Sequence, residues 1–116
     1  MYLSEVKFMK QSEIKQKIIR ETKALLRVNG QVTIKDIADR CFINIAAVNY
    51  HFGSKENLIE IVIEEILQDI KNHITKEMND ALNKVSMEDF LEQVVMYVYN
   101  FALDNAGILS YLFLTR

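Results

Sequence analysis

The side chains that could do covalent or metal chemistry are few in this chain, which has one cysteine, Cys41, and two histidines, His51 and His73. None of them belongs to a Cys, His and Asp cluster with the spacing of a metal site. The GxSxG, GxxxxGKS/T, HExxH and CxxC motifs are all absent from the sequence. We therefore predict that the protein is not an enzyme and that it uses no cofactor or metal.

Recognition of DNA is a different chemistry, and the layout of residues 33–58 indicates it. Thr33 can cap a helix, because its hydroxyl accepts a hydrogen bond from a free backbone N–H, and Asp36 favours the positive end of the helix dipole. Apolar residues then recur at three- and four-residue steps, which gives this helix one narrow buried face made of Ile34, Ile37, Ala38 and Cys41.

A second helix is predicted over residues 45–52, with Asn44 as its N-cap. Gly53 ends this helix, and Ser54 caps a third one that begins at Lys55. Helices as short as the first two are not stable alone, because helix nucleation is costly, so neighbouring helices must hold them. Two short helices, a tight turn and a third helix start are the layout of a DNA-reading helix-turn-helix.

The residues of the second helix suit a position in the major groove. Ala46 and Ala47 are small enough to let the backbone approach base edges, and an alanine can also touch a thymine methyl group. Asn49 lies on the same helix face as Ile45, and its amide could bond N6 and N7 of adenine. Asn49 is therefore the predicted base reader; the alternative is a surface residue with no role.

The same stretch resembles the N-terminal domain of the TetR-type bacterial transcriptional repressors. In that family a helix ends in Gly and is followed by Thr, by Ile-Ala, by a turn, by a short helix ending in Tyr-His-Phe, and by Ser-Lys-Glu with an aliphatic residue. The matching residues here are Gly30, Thr33, Ile37, Ala38, Tyr50, His51, Phe52, Ser54, Lys55, Glu56 and Leu58. The resemblance covers roughly residues 14–63 and is specific, since the motif and its spacing are both kept.

Three positions depart from the family pattern. Phe42 and Ile43 occupy the turn where the family usually has Gly and Val, and Asn49 stands where an aromatic residue is common. A Phe in place of Gly is expected either to widen the turn or to pack outward.

The resemblance also implies how the domain would touch DNA. Lys35 resembles a position that reaches a base or a phosphate. Thr33, Tyr50, His51 and Lys55 match positions that hold phosphates, and such contacts set register rather than sequence preference. The predicted DNA-contacting residues are Thr33, Lys35, Asn44, Ile45, Ala46, Ala47, Asn49, Tyr50, His51 and Lys55.

Composition and charge agree with a helical chain whose N-terminal half meets a polyanion. Half of the 116 residues are apolar, and the chain has no Pro and three Gly. Residues 1–55 hold ten Lys/Arg against five Asp/Glu, whereas residues 56–116 hold four against eleven. A polyanion would attract the first half and repel the second; the alternative is two ordinary solvated surfaces.

We predict an all-α fold: a three-helix helix-turn-helix head, then a long linking helix and the beginning of a helical ligand-binding and dimerisation domain. The head would comprise residues 1–54, including a basic arm at residues 1–11, and the second domain residues 55–116. Within the head, the first helix is expected over residues 13–29, with Ser12 as its cap.

The long helix is expected from residue 55 to about residue 79, with one continuous apolar stripe. After a polar linker at residues 83–85, Ser86 caps a fifth helix, and residues 104–107 break it. This region also offers side chains that could line a ligand cavity or simply fill a core: Met87, Met96, Tyr97, Tyr99 and Tyr111.

Residues 108–114 form an apolar segment with nothing after it to pack against. TetR-type proteins generally run well past this point. Two interpretations therefore stay open: a chain cut inside its second domain, or a short relative whose apolar end pairs with another copy.

The function that the resemblance implies is that of a transcriptional repressor. It would bind a pseudo-palindromic double-stranded operator as a homodimer and leave it when a small-molecule effector binds. The single Cys and the absence of an apolar run of about 20 residues indicate a cytoplasmic chain with no membrane partner. The alternative is a helical protein–protein interaction module without DNA binding, which the apolar C-terminal segment favours.

Overall fold

The computed structural model describes residues 10–82 and 85–115, and for Thr115 the backbone only. Most of the predicted basic arm and of the polar linker lies outside the described residues. Six α-helices occur in order, followed by a π-helical turn at Tyr111–Thr115: α1 (Gln11–Val28), α2 (Ile34–Cys41), α3 (Ile45–Phe52), α4 (Lys55–Ala81), α5 (Met87–Asp104) and α6 (Ala106–Ser110). These ranges contain no strand, and the predicted all-α fold is confirmed.

Helix α1 begins earlier than predicted. Its N-cap is Lys10, whose side chain makes no capping hydrogen bond. The prediction that Ser12 caps this helix was wrong, because Ser12 already lies inside the first turn. Further along, the buried Thr22 hydroxyl donates to the Ile18 carbonyl at 2.7 Å, so this polar group inside the core is satisfied within its own helix.

One hydrophobic core joins α1, α2, α3, the first part of α4 and α6. Its fully buried aliphatic side chains come from all of these helices and from the loop before α2: Ile18, Leu26, Val32, Ile37, Val48, Leu58, Ile59, Val62 and Ile108. Burying a side chain of this size stabilises a fold by roughly 1.5–3 kcal/mol. The short helices α2 and α3 are therefore held by their neighbours, as expected. The core extends across the predicted domain boundary between residues 54 and 55, which itself stays a prediction.

The later part of α4 and most of α5 form an arm that extends beyond this core, although Phe101 near the end of α5 packs against it. Ile66 is the last buried residue of α4. Leu67, the next residue of the predicted apolar stripe, is 55% exposed. No side chain of α5 is buried. The molecule is consequently elongated, with principal extents of 53 × 32 × 23 Å.

The two helices of the arm border an open groove of about 560 Å³, which Met96 and Tyr97 help to line. The other three side chains suggested for a cavity lie elsewhere. Met87 borders a smaller recess of about 180 Å³ at the tip of the arm, Tyr111 packs against the core of the head, and Tyr99 is exposed. Of the five side chains suggested for a cavity or a core, two thus border the groove and one packs against the core.

Helix α6 returns to the head and packs on the end of α1. A Cβ atom added to Gly107 would lie 2.2 Å from the Leu26 carbonyl oxygen, and one added to Gly30 would lie 2.9 Å from the Gly107 carbonyl oxygen. Both glycines therefore permit a close approach between two backbones. The sequence had suggested only that residues 104–107 break a helix.

The apolar C-terminal segment is thus partly packed, contrary to expectation. Ile108 belongs to the core, and Tyr111 and Leu112 pack against it. Phe113 and Leu114 remain exposed.

Within residues 10–82 and 85–115, no helix has the length and apolarity needed to cross a membrane. The same residues include no group of three His, Cys, Asp or Glu side chains placed to hold a metal ion.

Candidate nucleic-acid interface

The first turn of α2 is closed by a reciprocal capping box. The Asp36 N–H donates to Thr33 Oγ1 at 3.1 Å, and the Thr33 N–H donates to Asp36 Oδ2 at 3.1 Å. Two hydrogen bonds with Thr33 lower the pKa of the Asp36 carboxyl. The larger effect comes from the Thr33 backbone and the smaller one from the Thr33 side chain. The predicted cap at Thr33 is confirmed.

Lys35, in the same turn, makes a local ion pair. Its Nζ lies 3.0 Å from Asp39 Oδ2, and both side chains are exposed. The hydrogen bond with Asp39 and the charge of that carboxylate raise the pKa of Lys35. Because exposed ion pairs are weak, this ammonium group can exchange Asp39 for a phosphate oxygen.

Phe42 ends α2 in the left-handed region, with φ 59° and ψ 39°. The Ile43 N–H donates to the Ala38 carbonyl at 3.0 Å and the Phe42 N–H to the Asp39 carbonyl at 3.2 Å. These two bonds form a Schellman motif, in which glycine is the usual left-handed residue. Phe42 thus adopts the glycine-like conformation, so the turn closes in the usual way while the ring stays 46% exposed.

Helix α3 has one solvent face and one core face. The Ala47 N–H donates to Asn44 Oδ1 at 2.8 Å, which confirms Asn44 as the N-cap. Val48 and Phe52 are buried. The solvent face carries Ile45, Ala46, Asn49 and Tyr50. It thus offers aliphatic groups, an amide and a phenol to a surface that approaches α3.

The end of α3 places two aromatic donors side by side. Tyr50 is 73% exposed. Its ring meets that of His51 edge-on, with centroids 5.1 Å apart and planes at 79°. His51 Nδ1 is buried and has no hydrogen-bond partner within the described part of the chain. A neutral imidazole here is therefore expected to carry its proton on Nε2, where it can donate.

The turn from α3 into α4 is fixed by side-chain hydrogen bonds. Gly53 has a positive φ of 81°. The Asn57 N–H donates to Ser54 Oγ at 3.1 Å, which confirms the predicted cap of α4. Asn57 Nδ2 donates to the Phe52 carbonyl at 2.8 Å, so the Asn57 side chain links the start of α4 to the end of α3.

Lys55, the first residue of α4, is half-buried. Among residues 10–82 and 85–115, no carboxylate lies within ion-pairing distance of its ammonium group. A cation in the first turn of a helix is opposed by the helix dipole, which favours anions there. The helix dipole thus disfavours the positive charge of Lys55, and no carboxylate of the described residues pairs with it. A bound phosphate would supply the missing negative charge.

Contacts between α1 and the other helices of the head were missed by sequence reasoning. Lys23 Nζ lies 3.0 Å from Glu65 Oε1 of α4, and Arg40 Nε of α2 lies 3.5 Å from Glu21 Oε1. The partners are 42 and 19 residues apart, so no local pattern in the sequence could signal them.

Cys41, between the two halves of the motif, is buried as predicted. Burial, together with the nearby Glu21 carboxylate, raises the pKa of its thiol to about 11. A thiol with this pKa is almost fully protonated at neutral pH, which agrees with a packing role.

All ten residues predicted to contact DNA lie at the starts of α2, α3 and α4 or on α3 itself, and none of them is buried. The structure therefore leaves each of these side chains accessible. Their contacts with DNA stay predictions.

Residues 18–62 match the sequence model of a known family, described as bacterial regulatory proteins of the tetR family. The matched segment runs from within α1 through α2 and α3 into α4. No curated protein and no solved structure matches the chain. Residues 18–62 are therefore identified as a TetR-type N-terminal DNA-binding domain.

Proposed function

We propose that the protein is a sequence-specific transcriptional repressor that acts in the cytoplasm. Helix α3 enters the major groove, where Asn49 reads adenine and Ala46 approaches a base edge. Thr33, Lys35, Tyr50, His51 and Lys55 hold the flanking phosphates, while Asn44, Ile45 and Ala47 lie at the groove floor. The accessible, uncharged face of α3 is the observation that carries this proposal.

The operator is a pseudo-palindrome, and the protein binds it as a homodimer. Two heads related by a twofold axis would place their α3 helices about 34–36 Å apart in successive major grooves. An exposed apolar stripe on α5 supports this proposal, since it contains no charged residue. It is made of Met87, Leu91, Val95 and Val98. A second copy of the chain would cover it.

A small-molecule effector releases the DNA by binding in the groove between α4 and α5. The volume of about 560 Å³ is in the range of ligand sites. Helix α4 is shared between this groove and the head core, so a ligand that changes the angle of α4 would change the spacing of the two heads. Release requires the ligand to bind the DNA-incompetent spacing more tightly than the competent one.

Sequence selection from a pool of randomised duplexes tests the proposal. We expect an enriched pseudo-palindrome whose half-sites are centred about one helical turn apart. The Asn49→Ala variant should enrich the same spacing but lose preference at one base pair in each half-site. Asn79→Ala, which changes an exposed residue near the far end of α4, is the matched control. A pool that stays random with the wild-type protein would contradict the proposal.

A protein–protein interaction module without DNA binding is the second candidate, favoured by the same exposed stripe on α5. The two candidates differ in the head, because an interaction module has no need for the accessible face of α3. If the selected pool stays random while the protein self-associates, the second candidate is the better description.

A further inference from the structure

We infer that Phe42 is a positioning residue for α3, and that its ring acts through Lys17 of α1 to fix the turn before the recognition helix. The inference rests on the proposed function, since it assigns a purpose to the angle at which α3 is held. Neither residue is among the predicted DNA contacts.

The backbone of Phe42 is the first observation. Among residues 10–82 and 85–115, Phe42 is the one non-glycine residue with a positive φ, at 59°. This region is unfavourable for a residue with a Cβ, and a bulky side chain there points to a local constraint. A glycine would close the same Schellman turn without strain. The Phe42 side chain must therefore make an interaction that a glycine could not make.

Burial does not explain the phenylalanine, because its ring is 46% exposed. The ring has a specific contact instead: Lys17 Nζ lies 5.6 Å from its centroid, within the range of a cation–π interaction. Lys17 is half-buried and precedes Ile18, which is fully buried in the head core. The contact therefore ties the turn to a part of α1 that is itself fixed.

The position of this contact in the chain makes it relevant to recognition. Helix α3 has its N-cap at Asn44, two residues after Phe42, and begins at Ile45. A small rotation in the backbone of Phe42 would change the direction in which α3 leaves the turn. Contacts to base edges demand a fixed approach, so a loose turn would weaken specific binding more than non-specific binding.

The first test compares DNA affinities of variants on the selected duplex. Phe42→Gly removes the ring and the strain together, Phe42→Ala removes the ring alone, and Phe42→Tyr keeps the ring. We expect the first two to weaken binding roughly two- to fivefold, the equivalent of one exposed cation–π contact, and Phe42→Tyr to bind like wild type. Wild-type affinity in Phe42→Gly would overturn the inference.

The Lys17 partner is tested by a double-mutant cycle. Lys17→Met should weaken binding more than Lys15→Met, which removes the same charge from an exposed position of α1. Lys17→Arg should bind like wild type. The double variant of Lys17→Met and Phe42→Ala should bind no more weakly than the worse single variant. Additive losses would mean that the two side chains act separately, and would overturn the inference.

A readout without DNA separates this inference from the proposed function. Cys41, adjacent to Phe42, is 1% exposed, so its alkylation reports opening of the turn. Phe42→Gly and Lys17→Met should both raise the alkylation rate, by more than any change in global unfolding explains. Unchanged rates would overturn the inference while leaving DNA binding intact. Raised rates in a protein that binds no duplex would instead reject the proposed function alone.

Discussion

Lys35 and Lys55 both lie in the first turn of a helix, where the free backbone N–H groups and the dipole favour anions. Lys35 has Asp39 as a local partner. Lys55 has no ion-pairing carboxylate within the described residues, although it is half-buried. Helix stability alone gives no reason for a cation at this site. Binding of an external anion does.

Replacing Lys55 with Ala should therefore affect DNA binding and not the fold. We expect the slope of log affinity against log salt concentration to become shallower by about one unit per lost phosphate contact, hence by about two units for two chains on one duplex. The free energy of unfolding should stay within about 0.5 kcal/mol of wild type. Fluorescence anisotropy at several salt concentrations measures the slope. Lys76→Ala, on the arm, is the control for loss of one charge, and an unchanged slope in Lys55→Ala would remove Lys55 from the interface.

Cys41 gives a prediction about alkaline pH. Because burial raises the pKa of its thiol from 9.0 to about 11, the unfolded chain loses this proton at a lower pH than the folded chain does. The contribution of Cys41 to stability is therefore complete below pH 9 and is lost as the pH rises to about 11. Urea unfolding of wild type and Cys41→Ala at several pH values measures the difference. If the two proteins lose stability in parallel across this range, the thiol is not the group responsible.

Some residue roles could be predicted from the sequence because they depend on near neighbours. The caps at Thr33, Asn44 and Ser54 were identified correctly, since each acts on an N–H group three residues away. The sequence did not indicate that the ring of His73 stacks on that of Tyr97, with ring centroids 3.9 Å apart. That contact joins α4 to α5, and a pairing between separate helices has no signature in a single sequence.

At the scale of helices, apolar periodicity predicts which face is apolar but not whether a neighbour covers it. The α4 stripe is continuous in the sequence, yet only its first part is buried, up to Ile66. Helix α5 was also placed correctly, but none of its side chains is buried. What covers an apolar face depends on the tertiary arrangement, which the period of a single helix does not contain.

The docking of α6 on α1 depends on a glycine that the sequence suggested only as a helix breaker. Gly107→Ala would put a Cβ atom 2.2 Å from the Leu26 carbonyl oxygen and 2.5 Å from the Asn29 nitrogen. These are backbone atoms, so α6 must move away and Ile108 must leave the core. We expect a loss of about 1–3 kcal/mol in the free energy of unfolding, typical of overpacking.

Urea unfolding followed by far-ultraviolet circular dichroism measures this loss. Ala106→Ser changes an exposed neighbour in the same helix and should stay within about 0.5 kcal/mol of wild type. A Gly107→Ala protein as stable as wild type would mean that α6 does not pack against α1 in solution as described.

For the whole molecule, the division of charge matches the division of structure. The excess of Lys and Arg lies in residues 1–55, which include α1, α2 and α3, and the excess of Asp and Glu lies in residues 56–116. An elongated molecule with one basic end is expected to orient that end toward DNA before any specific contact forms. The acidic arm is expected to stay away from the phosphates.

The head could be predicted more fully than the arm, because its helices are set by residues close together in the sequence, whereas the packing of the later helices depends on residues far apart. Helices α2 and α3 are set by caps and turns within residues 33–58: α2 follows its predicted cap, Thr33, and α3 has the predicted bounds. The return of α6 to the head brings its backbone against the end of α1, which precedes it by about 80 residues. Such a contact is decided by backbone fit at Gly30 and Gly107, which neither composition nor periodicity reports.

Sedimentation of the chain with the selected duplex, at low and moderate salt, tests most directly whether this head binds DNA. We predict that the protein sediments with the duplex at low salt as two chains per duplex, and that moderate salt weakens the complex steeply. A protein that sediments apart from the duplex even at low salt would contradict the assignment of α3 and the three helix starts as a DNA-binding surface.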